Sequence, residues 1–265
     1  MTDDARADSA STVGPADPAG TLAPHPVLPG FYSAPEQRQR VVNSLFDDTA
    51  RHYDRVTALM SFGRGHAYRR EVLARVGVRE GSRVLDVACG TGQVSAAALS
   101  LVGASGIVIG VDPSAGMRAV AERQRGIRVL EGAADRLPVE DASFDFVVMG
   151  YAMRHAADLI AAFREMSRVL RPGGTVAVLE ITPPEGAFSR ALLKFYLKHI
   201  VPPASLLVTG SRRAMELMSY YWESIEKCVE PGRILGAMES AGLERPERHR
   251  TIGIFNEYVA KTRTA

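Results

Sequence analysis

From residue 83 onward, short apolar runs alternate with stretches whose apolar side chains recur at helical spacing. Strands are predicted at Arg83–Val87, Gly106–Val111, Ile127–Glu131, Phe144–Met149 and Thr175–Ile181. Each is short and rich in Val, Ile and Leu, as a parallel sheet covered on both faces requires. Helices are predicted between them, at about 92–102, 115–125 and 159–169. Pro172-Gly173-Gly174 reads as the turn that stops the last of these and starts the fifth strand. The pattern predicts an α/β, doubly wound sheet.

Three regions flank that alternation. Residues 1–35 are rich in Ala, Pro, Asp, Ser and Gly, and too poor in large apolar groups to offset the entropy of ordering, so a disordered tail is expected. Residues 36–80 space Val41, Leu45, Phe46, Tyr53, Val56, Leu59 and Met60 for short amphipathic helices, interrupted at Ser61-Phe62-Gly63-Arg64-Gly65. They are expected to form a helical lid over a core at 81–187. Residues 188–230 read as an apolar helical insertion carrying Lys194, Lys198, Arg212 and Arg213, suited to cover a substrate. Residues 231–265 supply a final helix, Pro231–Ala241, and strands near Glu244–His249 and Phe255–Lys261.

The chemistry concentrates at the end of the first strand, in Leu85-Asp86-Val87-Ala88-Cys89-Gly90-Thr91-Gly92. An apolar run ending in an acid and a glycine turn lets a ligand approach bare backbone at a strand's carboxyl end. A dinucleotide site would place a third glycine where Ser95 stands. Asp86 precedes the glycines, where a carboxylate can meet an ammonium or order the loop. Asp112 follows Gly92 by twenty residues, where it can accept from ribose hydroxyls. An adenosyl group with a charged amino-acid tail satisfies both, which puts S-adenosylmethionine ahead of NAD.

Composition adds few constraints. The 265 residues are 46% hydrophobic and 23% charged, with a formal net charge of +2, so the chain has no basic excess that calls for nucleic acid. Only Cys89 and Cys228 are present, with neither a Cys-x-x-Cys nor clustered histidines. A metal site has no support, and a reducing cytosol fits. No run of eighteen apolar residues or basic-then-apolar leader stands out, so a cytoplasmic protein is expected, open to peripheral contact with the inner face of a membrane.

These residues resemble class I S-adenosylmethionine-dependent methyltransferases, and within them the ubiquinone/menaquinone biosynthesis C-methyltransferases. The resemblance runs from about Val42 to Lys261. It rests on Phe46-Asp47-x-x-Ala50-x-x-Tyr53-Asp54, Leu59-Met60-Ser61-Phe62-Gly63, the glycine motif, Met153-Arg154, Val169-Leu170-Arg171-Pro172-Gly173-Gly174 and Glu223-Ser224-Ile225. It implies a Rossmann-like sheet in which Asp86 and the backbone of Ala88, Gly90, Thr91 and Gly92 hold the methionine portion. Asp112 would take the ribose hydroxyls, and Ala133, Ala134 and Asp135 would border the adenine, with the contact at Ala133, where many relatives have a polar side chain, through backbone alone.

The chain departs from that family at Gly150-Tyr151-Ala152-Met153-Arg154-His155, where relatives typically read Ser-Phe-Gly-x-Arg-Asn. Gly150 removes a hydroxyl near the cofactor, and His155 replaces a neutral amide with a titratable ring. By resemblance Arg154 would assist ionisation of a quinol. His155 could accept a phenolic proton or fill space beside Asp158, and Tyr53 could line the pocket or an apolar helix face. The implied activity is carbon methylation of an aromatic quinol such as a demethylmenaquinol. Methylation of another aromatic, polyketide or terpenoid metabolite stays open, as do a non-catalytic cofactor-binding role and an NAD-dependent oxidoreductase. The apolar 188–222 segment could serve core packing, a prenyl chain, a membrane visit or a homodimer contact.

Overall fold

The computed structural model describes residues 20–61 and 63–264. Two helices come first, α1 (Arg38–Ser61) and α2 (Gly65–Arg75). Alternation follows: β1 (Arg83–Val87), α3 (Gln93–Val102), β2 (Ile107–Asp112), α4 (Ala115–Arg125), β3 (Arg128–Glu131), β4 (Phe144–Gly150), α5 (Leu159–Val169) and β5 (Leu170–Ile181). Next come α6 (Ala187–Phe195), a π-helical turn at Tyr196–Ile200, α7 (Val201–Thr209), α8 (Arg212–Glu226), α9 (Pro231–Ser240), β6 (Glu244–Thr251) and β7 (Phe255–Lys261).

The seven strands form one sheet in the order β3-β2-β1-β4-β5-β7-β6. Strands β1 to β5 run parallel, β7 pairs antiparallel with β5, and β6 pairs antiparallel with β7. Strand order reverses between β1 and β4, which places the ligand crevice outside their carboxyl ends. Period-two alternation supplies both faces. Leu85, Val87, Val147, Met149, Val176 and Val178 face α5 and α9 through Phe163, Met166, Ile234 and Met238. Val84, Val148 and Ala177 face α2 and α3 through Leu73, Val94 and Ala98. Asp86 lies on this second face, beneath α3.

A second apolar cluster lies in the helical cap. Val42, Leu45 and Val56 of α1 pack with Leu197, Val201, and Leu217, Tyr220, Tyr221 and Trp222 of α8. Because α1 is buried against both α8 and α4 and contains neither proline nor glycine, it runs unbroken for 24 residues rather than as the short helices expected. The interruption falls where the sequence placed it, with Gly63 at φ 75°. Phe62 lies outside the described residues.

The expected disordered tail is corrected for residues 20–35. Leu22 joins the main core, Leu28 and Tyr32 join the cap, and His25 is buried. The segment is fastened by backbone hydrogen bonds, Leu159 N–H to Leu22 O at 2.8 Å and Val229 N–H to Pro24 O at 2.8 Å. Arg38 Nη2 donates to His25 O at 2.6 Å. A few apolar anchors with partnered backbone suffice to order an otherwise polar strap, which average composition does not reveal. Residues 1–19 of that tail lie outside the described residues.

The Pro172-Gly173-Gly174 turn is likewise absorbed into β5. Leu170 pairs with Phe144 before the register shifts to Phe146 and Thr175, with Gly173 at φ 76° inside the excursion.

Candidate active site

A cavity opens at the carboxyl ends of β1, β2 and β4 under α1 and α2. The loop after β1 forms its floor. Ala88, Gly90 and Gly92 have φ of 53°, 56° and 79°, which glycine adopts without strain and alanine does not. A side chain on Gly90 would meet no atom within 4 Å, so the backbone there is bare toward the cavity. Gly92 answers a different need, since a Cβ would strike Ile127 at 2.7 Å.

Asp112 lines the cavity, and its carboxylate accepts from Gly90 N–H and Ser114 N–H, both at 2.8 Å. Burial raises its pKa to about 6, against the pull of those two donors. The carboxylate keeps lone pairs beyond those two bonds for a further donor. Ala133, Ala134 and Asp135 border the same end. The bare glycine loop, an acceptor at the end of β2 and small side chains beyond it fit an adenosyl group.

Asp86 stands elsewhere than expected. It is fully buried, does not line the cavity, and accepts from Ser95 Oγ at 2.6 Å. Burial raises its pKa to about 7, and its Oδ1 has no partner among the described residues. Asp86 therefore acts on the cavity from one layer behind. Ser95, where a dinucleotide fold would have its third glycine, is the residue that holds it.

Thr91 lines the cavity too, and its hydroxyl donates to Asp54 Oδ1 at 2.5 Å. Asp54 further accepts from Gln93 Nε2 at 2.8 Å and Arg125 Nη2 at 2.5 Å. Asp47, two helical turns earlier on α1, accepts from Ser114 Oγ at 2.6 Å and Gly116 N–H at 2.8 Å. Two carboxylates on one face of α1 thus tie it to the start of α3 and to both ends of α4. Their seven-residue spacing was visible in the sequence, but their partners were not.

The other end of the cavity is aromatic. Tyr53 and Tyr151 line it, and Tyr53 shares a hydrogen bond of 2.7 Å with the Tyr221 hydroxyl. His155 is buried in the wall, edge-on to Phe46 at 5.2 Å and stacked with Tyr221 at 5.8 Å. Its Nδ1 lies 3.1 Å from Tyr220 Oη, while Nε2 has no partner among the described residues. Burial, reinforced by the Arg154 charge, holds its pKa well below the usual imidazole range, so the ring is neutral.

Arg154 does not line the cavity. It is fully buried, pairs with Glu180 Oε1 at 2.5 Å, and donates to Tyr151 O at 2.8 Å and Ser224 Oγ at 3.2 Å. Its guanidinium lies 4.7 Å from the centroid of the Tyr221 ring. Nothing in the sequence marks Glu180 as its partner, because only the sheet brings the carboxyl end of β5 beside the loop after β4. Gly150 is explained by packing, since a Cβ there would meet Val94 Cγ2 at 2.5 Å.

Residues 33–261 match the model of the ubiE/COQ5 methyltransferase family. Demethylmenaquinone methyltransferases of Staphylococcus aureus strains JH9 and Newman are each 35% identical over 179 residues, covering 66% of this chain and 74% of theirs. Among solved structures, an S-adenosylmethionine-dependent methyltransferase of Thermotoga maritima aligns with a TM-score of 0.60 at 21% identity, over 83% of this chain and 99% of that one. Another, from Aquifex aeolicus, gives 0.57 at 19% identity over 78% and 97%. With that sheet order, a bare glycine loop facing Asp112 and a family match over most of its length, the chain belongs to the ubiE/COQ5 methyltransferase family and is an S-adenosylmethionine-dependent methyltransferase.

Proposed function

We propose that the protein methylates a ring carbon of a quinol, such as a demethylmenaquinol. The observation that carries this reading is His155, a neutral imidazole in the wall of an aromatic-lined cavity whose Nε2 has no partner among the described residues. S-adenosylmethionine, when bound, would supply an electrophilic methyl group. A quinol carbon can take it once an adjacent hydroxyl has lost its proton, with S-adenosylhomocysteine leaving as the S–CH3 bond breaks and the ring C–H proton lost to solvent as aromaticity returns. With Nδ1–H donated to Tyr220, the buried Nε2 is left with the lone pair that would take the hydroxyl proton. Tyr53 and Tyr151 hold the ring and exclude water.

Arg154 acts from behind the wall, as a positioning residue. It fixes the Tyr221 ring and the Tyr151 carbonyl, and its charge favours a phenolate over a phenol nearby. Methyl transfer from labelled cofactor to reduced demethylmenaquinols and to unrelated phenols tests the reading. Label on the quinol ring, with kcat reduced about 100-fold in His155→Gln at unchanged cofactor affinity, is expected. Label confined to other phenols refutes the quinol assignment, and an unaltered pH–rate profile in His155→Gln refutes its role as base.

The same reading supports contact with an anionic bilayer. Helix 187–209 is long and apolar enough to cross a membrane by length and composition, yet one face packs into the cap through Leu197, Val201 and Ser205. The opposite face exposes Phe188 (83%), Leu192, Phe195, Ile200 and Leu207 (86%). At about 100° per residue, the five-residue step from Phe195 would throw Ile200 off this stripe. The π turn, closed by Val201 N–H to Tyr196 O, absorbs the extra residue and realigns the two halves.

No acid interrupts residues 187–211, and Arg190 flanks the stripe together with Lys194 and Lys198, which pair with Glu226 and Glu223 of α8; a basic-flanked apolar stripe is the pattern of a helix lying in the plane of an anionic surface. Flotation with phosphatidylglycerol vesicles, lost in Phe188→Asp/Leu207→Asp, is expected. Failure to float, or concentration-dependent dimerisation abolished by the same pair, overturns it in favour of a contact between copies.

A further inference from the structure

Arg69 on α2 is 9% exposed and lines the cavity, yet among the described residues it has no ion pair and donates no hydrogen bond. Its one recorded contact is with the face of Tyr151, 5.2 Å from the ring centroid. Other buried arginines are matched: Arg154 has Glu180, and Arg38 has His25 O and the Tyr32 hydroxyl. A desolvated guanidinium without a partner is costly, and a fold that keeps one at a cavity wall holds it ready for an anion.

Room has been made for it. A Cβ on Gly65, one turn earlier at the start of α2, would stand 2.5 Å from Arg69 Nη1, so the glycine lets the side chain fold back along the helix. Arg69 shares one end of the cavity with Tyr151, over whose ring its guanidinium lies. Behind this end lies Asp86 with its unpartnered Oδ1, and the Arg69 charge acts on that carboxyl, on Tyr53 and on Tyr151. A fixed cation at the wall and a fixed carboxyl behind it match an α-amino-acid zwitterion.

We infer that Arg69 binds the α-carboxylate of the cofactor's methionine tail and makes the site selective for an intact amino-acid end. The planar fork of the guanidinium suits a carboxylate through two parallel hydrogen bonds. A phenolate oxygen offers the same negative charge but one atom, and serves as the competing source. The inference rests on cofactor dependence alone and is independent of the quinol assignment.

Calorimetric titration with S-adenosylhomocysteine and its decarboxylated analogue separates the outcomes. In Arg69→Gln, affinity for S-adenosylhomocysteine is expected to fall roughly 10- to 100-fold, the range for one charge-assisted interaction, with the decarboxylated analogue unchanged. Arg69→Lys should recover part of the loss. Gly65→Ala should weaken S-adenosylhomocysteine binding by displacing the guanidinium while leaving the unfolding midpoint in place. Equal losses for both ligands would make Arg69 structural and overturn the inference. So would unchanged S-adenosylhomocysteine binding, and in that case a raised KM for the phenolic substrate assigns the guanidinium to the phenolate.

Discussion

Glu180→Ala isolates the physics beneath the site. Glu180 and Arg154 are both fully buried, 2.5 Å apart, and Glu180 Oε1 also accepts from Ile181 N–H at 2.9 Å. Removing the carboxylate leaves a guanidinium that cannot deprotonate, partnered only by the Tyr151 carbonyl and the Ser224 hydroxyl. Breaking a buried pair from one side costs about 3–5 kcal/mol, a large share of the ~5–15 kcal/mol that stabilises a typical protein. At roughly 2–4 °C per kcal/mol for a protein near this size, Tm should drop by about 6–20 °C.

Removing the cation instead should behave differently with pH. In Arg154→Met the orphaned carboxyl can take up a proton, so the cost should shrink as pH is lowered, whereas the Glu180→Ala cost should stay level. The double variant Arg154→Met/Glu180→Leu, which buries no charge, should recover most of the loss. Equilibrium unfolding followed by circular dichroism measures all three. A Glu180→Ala cost below about 1 kcal/mol, or a double variant less stable than Glu180→Ala, would refute the claim that the pair is desolvated and coupled.

Three other perturbations probe the lid, the packing and the strap. Asp54→Ala removes the acceptor for Thr91, Gln93 and Arg125, and S-adenosylhomocysteine affinity should fall about 10- to 30-fold, with faster amide exchange across Gly90–Gln93; a change under twofold means α1 does not latch the loop. Gly150→Ala drives a Cβ into Val94 and should cost about 1–3 kcal/mol, relieved by Val94→Ala, so a neutral single variant would show that the contact yields freely. Burial lowers the His25 pKa to about 4 from 6.5, so the unfolded chain takes up a proton first as pH falls between those values. Wild type should then lose stability relative to His25→Gln by up to about 1.4 kcal/mol per pH unit in that window and by nothing above it, and parallel pH curves for the two proteins would contradict the buried, neutral ring.

The sequence by itself determined the elements and the chemistry of the floor. The period of apolar positions marked β1 to β5 and the helices between them to within a few residues, because a parallel sheet covered on both faces leaves a strong apolar signal. The glycine loop and Asp112 were legible because their function depends on local backbone conformation and a strand end. Tertiary structure decided everything that depends on a distant partner. It ordered residues 20–35 through Leu22, Leu28 and Tyr32, joined α1 into one helix by burying it between α4 and α8, and withdrew Asp86 and Arg154 from the cavity by giving them Ser95 and Glu180. It also left Arg69 at the wall without an ion-pair or hydrogen-bond partner among the described residues, one arginine among many in the chain until its surroundings were known. Charge and hydrogen bonding are settled by which groups meet in three dimensions, and a one-dimensional pattern records only which groups are present.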